Sequence, residues 1–106
     1  MRLCRDVYRL TLSFPDEERY GLISQMRRAA VSVPSNIAEG QGRLARKEFI
    51  HFLSIARGSL KELETQLLIA ADLGYGSRTQ LDGCLLAAGN AGRLLSALIR
   101  SLRKEG

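Results

Sequence analysis

Apolar residues recur along this chain in steps of three and four, the spacing that places them on one face of an α-helix. Four segments carry this pattern, and no run alternates with the period of two that is typical of a half-buried strand. The sequence therefore predicts an all-α protein, a single domain over residues 1–106. Its helices are expected at about 2–13, 16–41, 45–73 and 77–104.

The third and fourth segments carry the longest apolar stripes. In the third segment the stripe consists of Phe49, Leu53, Ala56, Leu60, Leu63, Leu67 and Ala70. Such a sustained heptad-like seam is typical of long helices that pack at shallow angles. Because the connections between the four segments are short, we expect an antiparallel up-down-up-down four-helix bundle.

The second segment contains a proline inside its helical pattern. A proline removes one backbone hydrogen bond and clashes with the preceding turn, at a cost of about 3 kcal/mol. The apolar stripe nevertheless continues from Val33 across Pro34 to Ile37, which predicts one helix kinked at Pro34. Ser32, Ser35 and Asn36 could bond the backbone groups that the proline leaves unpaired.

Polar and glycine residues predict where the helices begin and end. Asp16 is expected to cap the second helix, and residues 36–39 resemble a capping box that would restart it after the proline. Residues 40–42 (Gly-Gln-Gly) are expected to end that helix. Gly74 suits the left-handed position after the third helix, and Ser77 begins a second capping-box pattern before the fourth.

The last helix carries a second apolar line beside its main stripe. This line consists of Ala87, Ala91, Leu94 and Leu98. A helix in a monomeric bundle needs one buried face, so a doubled apolar surface indicates contact with another subunit. These four residues are therefore the candidate oligomer interface.

The net charge of the chain indicates a possible acidic binding partner. The formal net charge is +5 and the pI is about 9.8, which makes RNA, DNA or another anionic surface a candidate ligand. The candidate nucleic-acid-binding residues are Arg27, Arg28, Arg43, Arg46, Lys47 and Arg57. Ordinary solvation of exposed helix faces is the alternative explanation for these cations. In a ring of identical subunits their fields would add.

Residues that carry catalytic chemistry are sparse. His51 is the only histidine, and it completes a single Glu-x-x-His pattern with Glu48, whereas a di-iron bundle needs two. Cys4 and Cys84 lie far apart in the sequence, and we interpret them as reduced, buried thiols. We expect no enzymatic activity, no metal and no cofactor. No signal peptide or membrane-spanning run is recognisable, so a soluble, cytoplasmic protein is expected.

Residues 27–40, RRAAVSVPSNIAEG, resemble the signature of the four-helix bundle proteins encoded by intervening sequences in bacterial 23S ribosomal RNA genes. The resemblance continues through Lys47-Glu48-Phe49 and the third segment to Leu73-Gly74-Tyr75. It covers the last helix only by pattern. The signature positions, which we interpret as structural, are Pro34, Ser35, Asn36, Glu39 and Gly40.

The resemblance implies a small cytosolic bundle that assembles as a homopentameric ring. The chain also looks like a related protein, the accessory variability protein of diversity-generating retroelements, which uses a basic pentamer to engage a reverse transcriptase and nucleic acid. The family has no catalytic residues to carry over. This sequence departs from the family in two ways: members usually begin further upstream, and they often have Ser where Ala45 stands.

Two hypotheses of function follow from these observations. The first is a non-enzymatic, oligomeric bundle whose basic surface binds RNA, DNA or a nucleic-acid enzyme. The second is a structural or protein-protein interaction module with no nucleic-acid role, which would use the apolar line of the last helix.

Overall fold

The computed structural model of the protein describes residues 2–105. Four α-helices account for most of them: α1 (Arg2–Thr11), α2 (Leu22–Gln41), α3 (Arg46–Asp72) and α4 (Arg78–Glu105). The described residues form no strand. The prediction of an all-α fold with four helices is confirmed.

The start of the second helix differs from the prediction. Asp16–Glu18 form a separate turn of 3₁₀-helix, and α2 begins only at Leu22. Asp16 therefore does not cap α2. Instead Glu18 Oε1 accepts a hydrogen bond from the Leu22 backbone N–H at 3.2 Å, and so binds one of the N–H groups that a helix start leaves free.

Neighbouring helices meet in reverse sequence order. Between α2 and α3, Arg28 contacts Glu62 and Ser32 contacts Ser59. Between α3 and α4, Arg57 contacts Ser96 and Arg46 contacts Glu105, as expected for two helices that run in opposite directions. The complete up-down-up-down arrangement and a bend of the α2 axis at Pro34 stay predictions.

The connection from α3 to α4 closes one end of the bundle. The Tyr75 N–H donates to the Ala70 carbonyl and the Gly74 N–H to the Ala71 carbonyl, the two bonds of a Schellman motif. Gly74 has the left-handed φ of 77° that this motif requires, as predicted. Tyr75 then packs against Phe14 with ring centroids 5.5 Å apart, and this contact holds the chain after α1 against the connection.

The shortness of α1 divides the molecule into two ends. α1 has 10 residues, whereas α3 has 27 and α4 has 28. The observed contacts of α1 lie near Arg27 and Ala30 of α2 and near Gly76, just before α4. We call residues 2–33 and 58–92 the covered end, and residues 34–57 and 93–105 the open end.

The hydrophobic core is concentrated at the covered end. Fifteen of the nineteen buried hydrophobic side chains lie there, and the open end contributes only Leu53, Ala56, Leu95 and Ile99. Burial of apolar surface is the main favourable term in folding. The covered end therefore holds most of the stabilising core, and the open end is left with more exposed surface per residue.

Candidate nucleic-acid interface

Pro34 lies inside a continuous helix, and its missing N–H is compensated from α1. In a regular helix the N–H of residue 34 would donate to the Ala30 carbonyl. In this structure the Cys4 thiol donates to that carbonyl, with an Sγ–O distance of 3.1 Å. Burial raises the pKa of the Cys4 thiol, which favours the protonated form that can donate. The proline thus frees a carbonyl that serves as a contact point for α1.

The polar residues around Pro34 have a different role from the one predicted. Asn36 Nδ2 donates to the Ser32 carbonyl at 2.8 Å and to Ser32 Oγ at 2.9 Å. Ser32 Oγ lies 2.8 Å from Ser59 Oγ on α3, within hydrogen-bond distance. Asn36 and Ser32 therefore link α2 to α3, whereas Cys4 satisfies the carbonyl freed by proline. The predicted capping box at Asn36 is wrong, because α2 is not interrupted there.

Gly40 of the signature sits at a close contact between α2 and α3. A Cβ added to Gly40 would lie 2.9 Å from Phe49 Cδ1 and 3.0 Å from Phe52 Cβ. Gly40 is also buried and still within α2, which continues to Gln41. It therefore allows close packing, while α2 ends within residues 40–42, as predicted. Gly42 follows as the C-cap with an ordinary right-handed conformation.

The two ends of the molecule differ sharply in charge. The open end contains eight Lys and Arg residues but only three Asp and Glu residues, whereas the covered end contains eight of each. The net charge of +5 thus arises entirely from the open end. A surface with this imbalance produces a positive potential that attracts polyanions.

Three of the predicted binding residues lie at the α2–α3 connection of the open end. Arg43 pairs with Glu39 on the preceding turn and lies over the Phe52 ring at 5.1 Å. Arg46 lies 3.9 Å from Glu105 at the end of α4. Lys47 is exposed and, among the described residues, has no carboxylate within 4 Å. The structure brings these three cations together at one end, with Lys47 the least engaged.

The other three predicted residues are distributed along the bundle. A binding residue must be accessible, but Arg27 is half-buried: its Nε donates to Thr11 Oγ1 at 2.9 Å, and its guanidinium lies over the Tyr8 ring. Arg27 therefore attaches α1 to α2. Arg28 forms an ion pair with Glu62 at 3.0 Å. Arg57 faces α4 and lies 3.4 Å from Ser96 Oγ.

Cations of α4 that were not among the predicted residues share a depression with the predicted Arg57. Arg57, Ser96, Ile99, Arg100, Arg103 and Lys104 line a depression of about 380 Å³ between α3 and α4. From the sequence alone, Arg100, Arg103 and Lys104 could be explained as cations that stabilise the C-terminus of a helix. Arg93 precedes them, and the successive separations of seven, three and one residues place all four cations on one side of the helix. The sequence could not show that Arg57 lies opposite them.

The predicted oligomer interface lies along α4 and includes exposed apolar side chains. Leu94 is 73% exposed and Leu98 is 40% exposed. Ala87 and Ala91 are half-buried beside them. Leu98 and Arg100 are two residues apart, so they point about 200° apart around the helix axis. α4 therefore presents its apolar line and its basic residues on opposite flanks.

Titratable groups outside this surface show no converging cluster. Among residues 2–105, no group of three His, Cys, Asp or Glu side chains is placed to hold a metal ion. His51 is exposed, and its ring packs edge-on against Phe52. Burial raises the pKa of the Cys84 thiol to about 11, with a smaller contribution from Asp6. A thiol in this environment is a poor nucleophile at neutral pH.

Comparison with known proteins identifies the family. The description "23S rRNA-intervening sequence protein" applies to the family that matches residues 1–97. The chain belongs to this family. The residues 27–40 that carried the resemblance lie within the matched range, so the family prediction is confirmed. No curated protein matches the chain.

A solved structure has a similar fold. It is the crystal structure of a protein of unknown function from the S23 ribosomal protein family of Bacteroides thetaiotaomicron. The TM-score is 0.79 at 23% sequence identity, and the alignment covers 91% of this chain and 87% of that chain. At this identity the similarity establishes the fold. In the described part of the chain, no helix has the length and apolar character that a membrane crossing demands.

Proposed function

We propose that this protein is a non-enzymatic, oligomeric four-helix bundle that binds RNA or DNA through its open end. The observation that carries the proposal is the charge distribution, because the net charge of +5 arises entirely from the open end. Phosphate groups dominate the affinity of most nucleic-acid complexes, and binding by cations alone is tolerant of sequence and sensitive to salt. This is the behaviour we expect here.

Most cations of the open end are free of carboxylate partners. Pairing alone does not distinguish the two ends, because at the covered end only Arg28, Lys61 and Arg78 lie within 4 Å of a carboxylate among the described residues. At the open end, six of the eight cations have no such partner among the described residues: Lys47, Arg57, Arg93, Arg100, Arg103 and Lys104. Phosphates can contact these side chains without first displacing a carboxylate.

The proposal includes no catalytic step. Acid-base or nucleophilic catalysis requires a base positioned next to a nucleophile and oriented by a third group. The only histidine, His51, is exposed on α3 beside Phe52, and the buried Cys84 has a raised pKa. We therefore assign the function to binding and assembly, with no cofactor.

The oligomer in this proposal is a homopentamer, the assembly that the family resemblance implies. The exposed Leu94 and Leu98 are candidates for the contact between subunits. They lie on the flank of α4 opposite to Arg100, so the basic flank is not part of this half of the head-to-tail contact that a ring requires. In a ring, five copies of the basic surface would add their fields, which would strengthen binding at moderate salt.

The exposed leucines also favour a second candidate function. A structural or protein-protein interaction module would use Leu94 and Leu98 to bind another protein, with the basic residues only solvating the surface. Its biological partner would then be a protein that presents an apolar surface. The two candidates differ in what charge reversal at the open end should do.

The test is nucleic-acid binding by the full-length protein, measured by fluorescence anisotropy with labelled RNA and DNA oligonucleotides over a range of salt concentrations. We expect binding at low salt that weakens as salt rises. The double substitution Arg43→Glu with Lys47→Glu should weaken binding about tenfold or more, since it removes phosphate contacts and adds repulsion. A matched control at the covered end is Arg5→Glu with Arg19→Glu, two exposed residues.

Three outcomes decide between the candidates. A loss of affinity that is confined to the variant Arg43→Glu with Lys47→Glu supports nucleic-acid binding through the open end. Equal effects of the two double variants would contradict a localised surface. No binding by the unmodified protein at the lowest salt would rule out the nucleic-acid function and leave the interaction module. Light scattering on the same samples tests the pentamer, and a monomeric mass would contradict it.

A further inference from the structure

A continuous basic groove runs between α3 and α4. The depression that Arg57, Arg103 and Lys104 line adjoins a second depression of about 370 Å³, and both share Ser96 and Arg100. Lys61 and Glu64, which pair with each other at 3.7 Å, line the second depression towards the covered end. We call the combined feature the α3–α4 groove.

The cations of the groove are aligned along the helix. Arg93, Arg100 and Lys104 are separated by seven and four residues, which places them on one side of α4. With a rise of 1.5 Å per residue they extend over about 16 Å. Arg57 faces them from α3, since it contacts Ser96. A linear polyanion lying in the groove would meet positive charge from both walls.

The chemistry of the lining selects a phosphate backbone and not bases. Among the described residues that line the groove, none is aromatic, so it offers no platform for base stacking. Its polar groups are guanidinium, ammonium and hydroxyl, which bind phosphate oxygens, together with the one carboxylate of Glu64, which Lys61 pairs at 3.7 Å. A Cβ added to Gly92 on the floor would meet no atom within 4 Å, so the floor leaves space for a ligand.

The spacing of the two walls favours one strand over two. The axes of packed helices lie about 8–10 Å apart, so cations of both walls can contact the same backbone, whereas the two backbones of a DNA duplex are separated by a major groove about 12 Å wide. We propose that the α3–α4 groove binds the phosphodiester backbone of a single nucleic-acid strand, without sequence preference. This inference rests on the proposed function and assigns the strand's contacts to Arg57, Arg93, Arg100, Arg103 and Lys104.

The experiment compares two neutralising variants of the full-length protein. Arg100→Gln with Arg103→Gln removes two charges from the groove, and Arg5→Gln with Arg19→Gln removes two from the covered end. All four arginines are exposed, so folding should be preserved, and circular dichroism and light scattering verify it. The probes are a labelled 20-nucleotide oligo-uridine and an RNA duplex of the same length.

The expected result is a loss of single-strand affinity of about tenfold or more in the groove variant, with a salt slope reduced by about one to two. The single-strand affinity of the control variant should change less than about threefold. If the unmodified protein binds but the two variants behave alike, the groove assignment is wrong and the proposed function stands. If the unmodified protein does not bind, both are wrong. Equal or tighter binding of the duplex overturns the single-strand assignment.

Lysine footprinting gives an independent measurement. The chain has three lysines, Lys47, Lys61 and Lys104, of which the last two line the groove. Bound oligo-uridine should protect Lys104 most strongly from acetylation, as measured by mass spectrometry. Unchanged reactivity of Lys104 in a complex that forms would contradict the proposal.

Discussion

The covered and open ends of this bundle are built from the same kinds of helix, yet they differ in core and in charge. The covered end has four packed helices, fifteen of the nineteen buried hydrophobic side chains and balanced charge. The open end has three helices, four such side chains and the whole net charge of +5. Like charges repel within a folded protein, so they are best tolerated away from the part that stabilises the fold. The hydrophobic core and the net charge are thus concentrated in different parts of the molecule.

The residues where the two ends meet belong to the family signature. Pro34 frees the Ala30 carbonyl for the Cys4 thiol of α1, and Asn36 holds Ser32 towards Ser59 of α3. These contacts fix α1 and α3 against α2 at the boundary between the two ends. Pro34 and Asn36, two of the signature positions, thus have packing roles within the fold.

The largest expected effect on stability comes from replacing a glycine at the covered end, and a glycine at the open end provides the comparison. Gly76→Ala should lower the free energy of unfolding by about 3 kcal/mol, because Gly76 has a φ of 75° and an added Cβ would lie 2.7 Å from buried Leu10. Gly40→Ala should cost about 1 kcal/mol, since crowding against Phe49 is partly offset by the better helix propensity of alanine. Urea denaturation followed by circular dichroism measures both.

Both glycine variants must be compared at one protein concentration, because association contributes to apparent stability. An equal or larger loss for Gly40→Ala would contradict the view that the covered end dominates stability.

A double-mutant cycle tests the contact at the boundary. Cys4→Ala should cost about 1 kcal/mol of unfolding free energy, because the buried Ala30 carbonyl loses its donor. In a Pro34→Ala background the new N–H can bond that carbonyl, so the same substitution should cost less, with a coupling of about 0.5–1 kcal/mol. Cys4→Ser keeps a donor and is the control. Additive effects of the two substitutions would show that the thiol contact is energetically unimportant.

The predicted role of Pro34 in the shape of the bundle can be tested with the Pro34→Ala variant alone. Pro34→Ala should alter the packing of α1 or the assembly of the subunits, because the kink expected at the proline would be removed. Small-angle X-ray scattering and light scattering report shape and mass. An unchanged oligomer with an equally bent α2 would refute this prediction.

The smallest expected effect is a gain in the free energy of unfolding from a substitution at the open end. α3 begins after Ala45, whose side chain cannot accept a hydrogen bond from the free N–H groups of the first turn. Ala45→Ser should raise the free energy of unfolding by about 0.5–1 kcal/mol. Thermal denaturation measures the gain, and Ala45→Gly serves as a comparison without a side-chain acceptor. No gain in the serine variant would indicate that the start of α3 is already open in the native state.

Much of the fold could be predicted because helix periodicity is a local property. The stripe from Phe49 to Ala70 specified α3 to within a residue at each end, and Gly74 specified the turn after it. The start of α2 was misplaced, because Asp16 and Glu18 both suit a helix start. Which of them does so depends on hydrogen bonds that the pattern does not encode.

The sequence by itself determined the helices, the family and the excess of positive charge, since each depends on residue types and their spacing along one chain. Only the tertiary structure showed that Arg57 and Arg100 face one groove, that Arg27 attaches α1, and that Cys4 reaches the Ala30 carbonyl. Each of these contacts joins residues 16 or more positions apart. Such contacts depend on how helices rotate and align against one another to bury their apolar stripes, which the packing of the whole core decides.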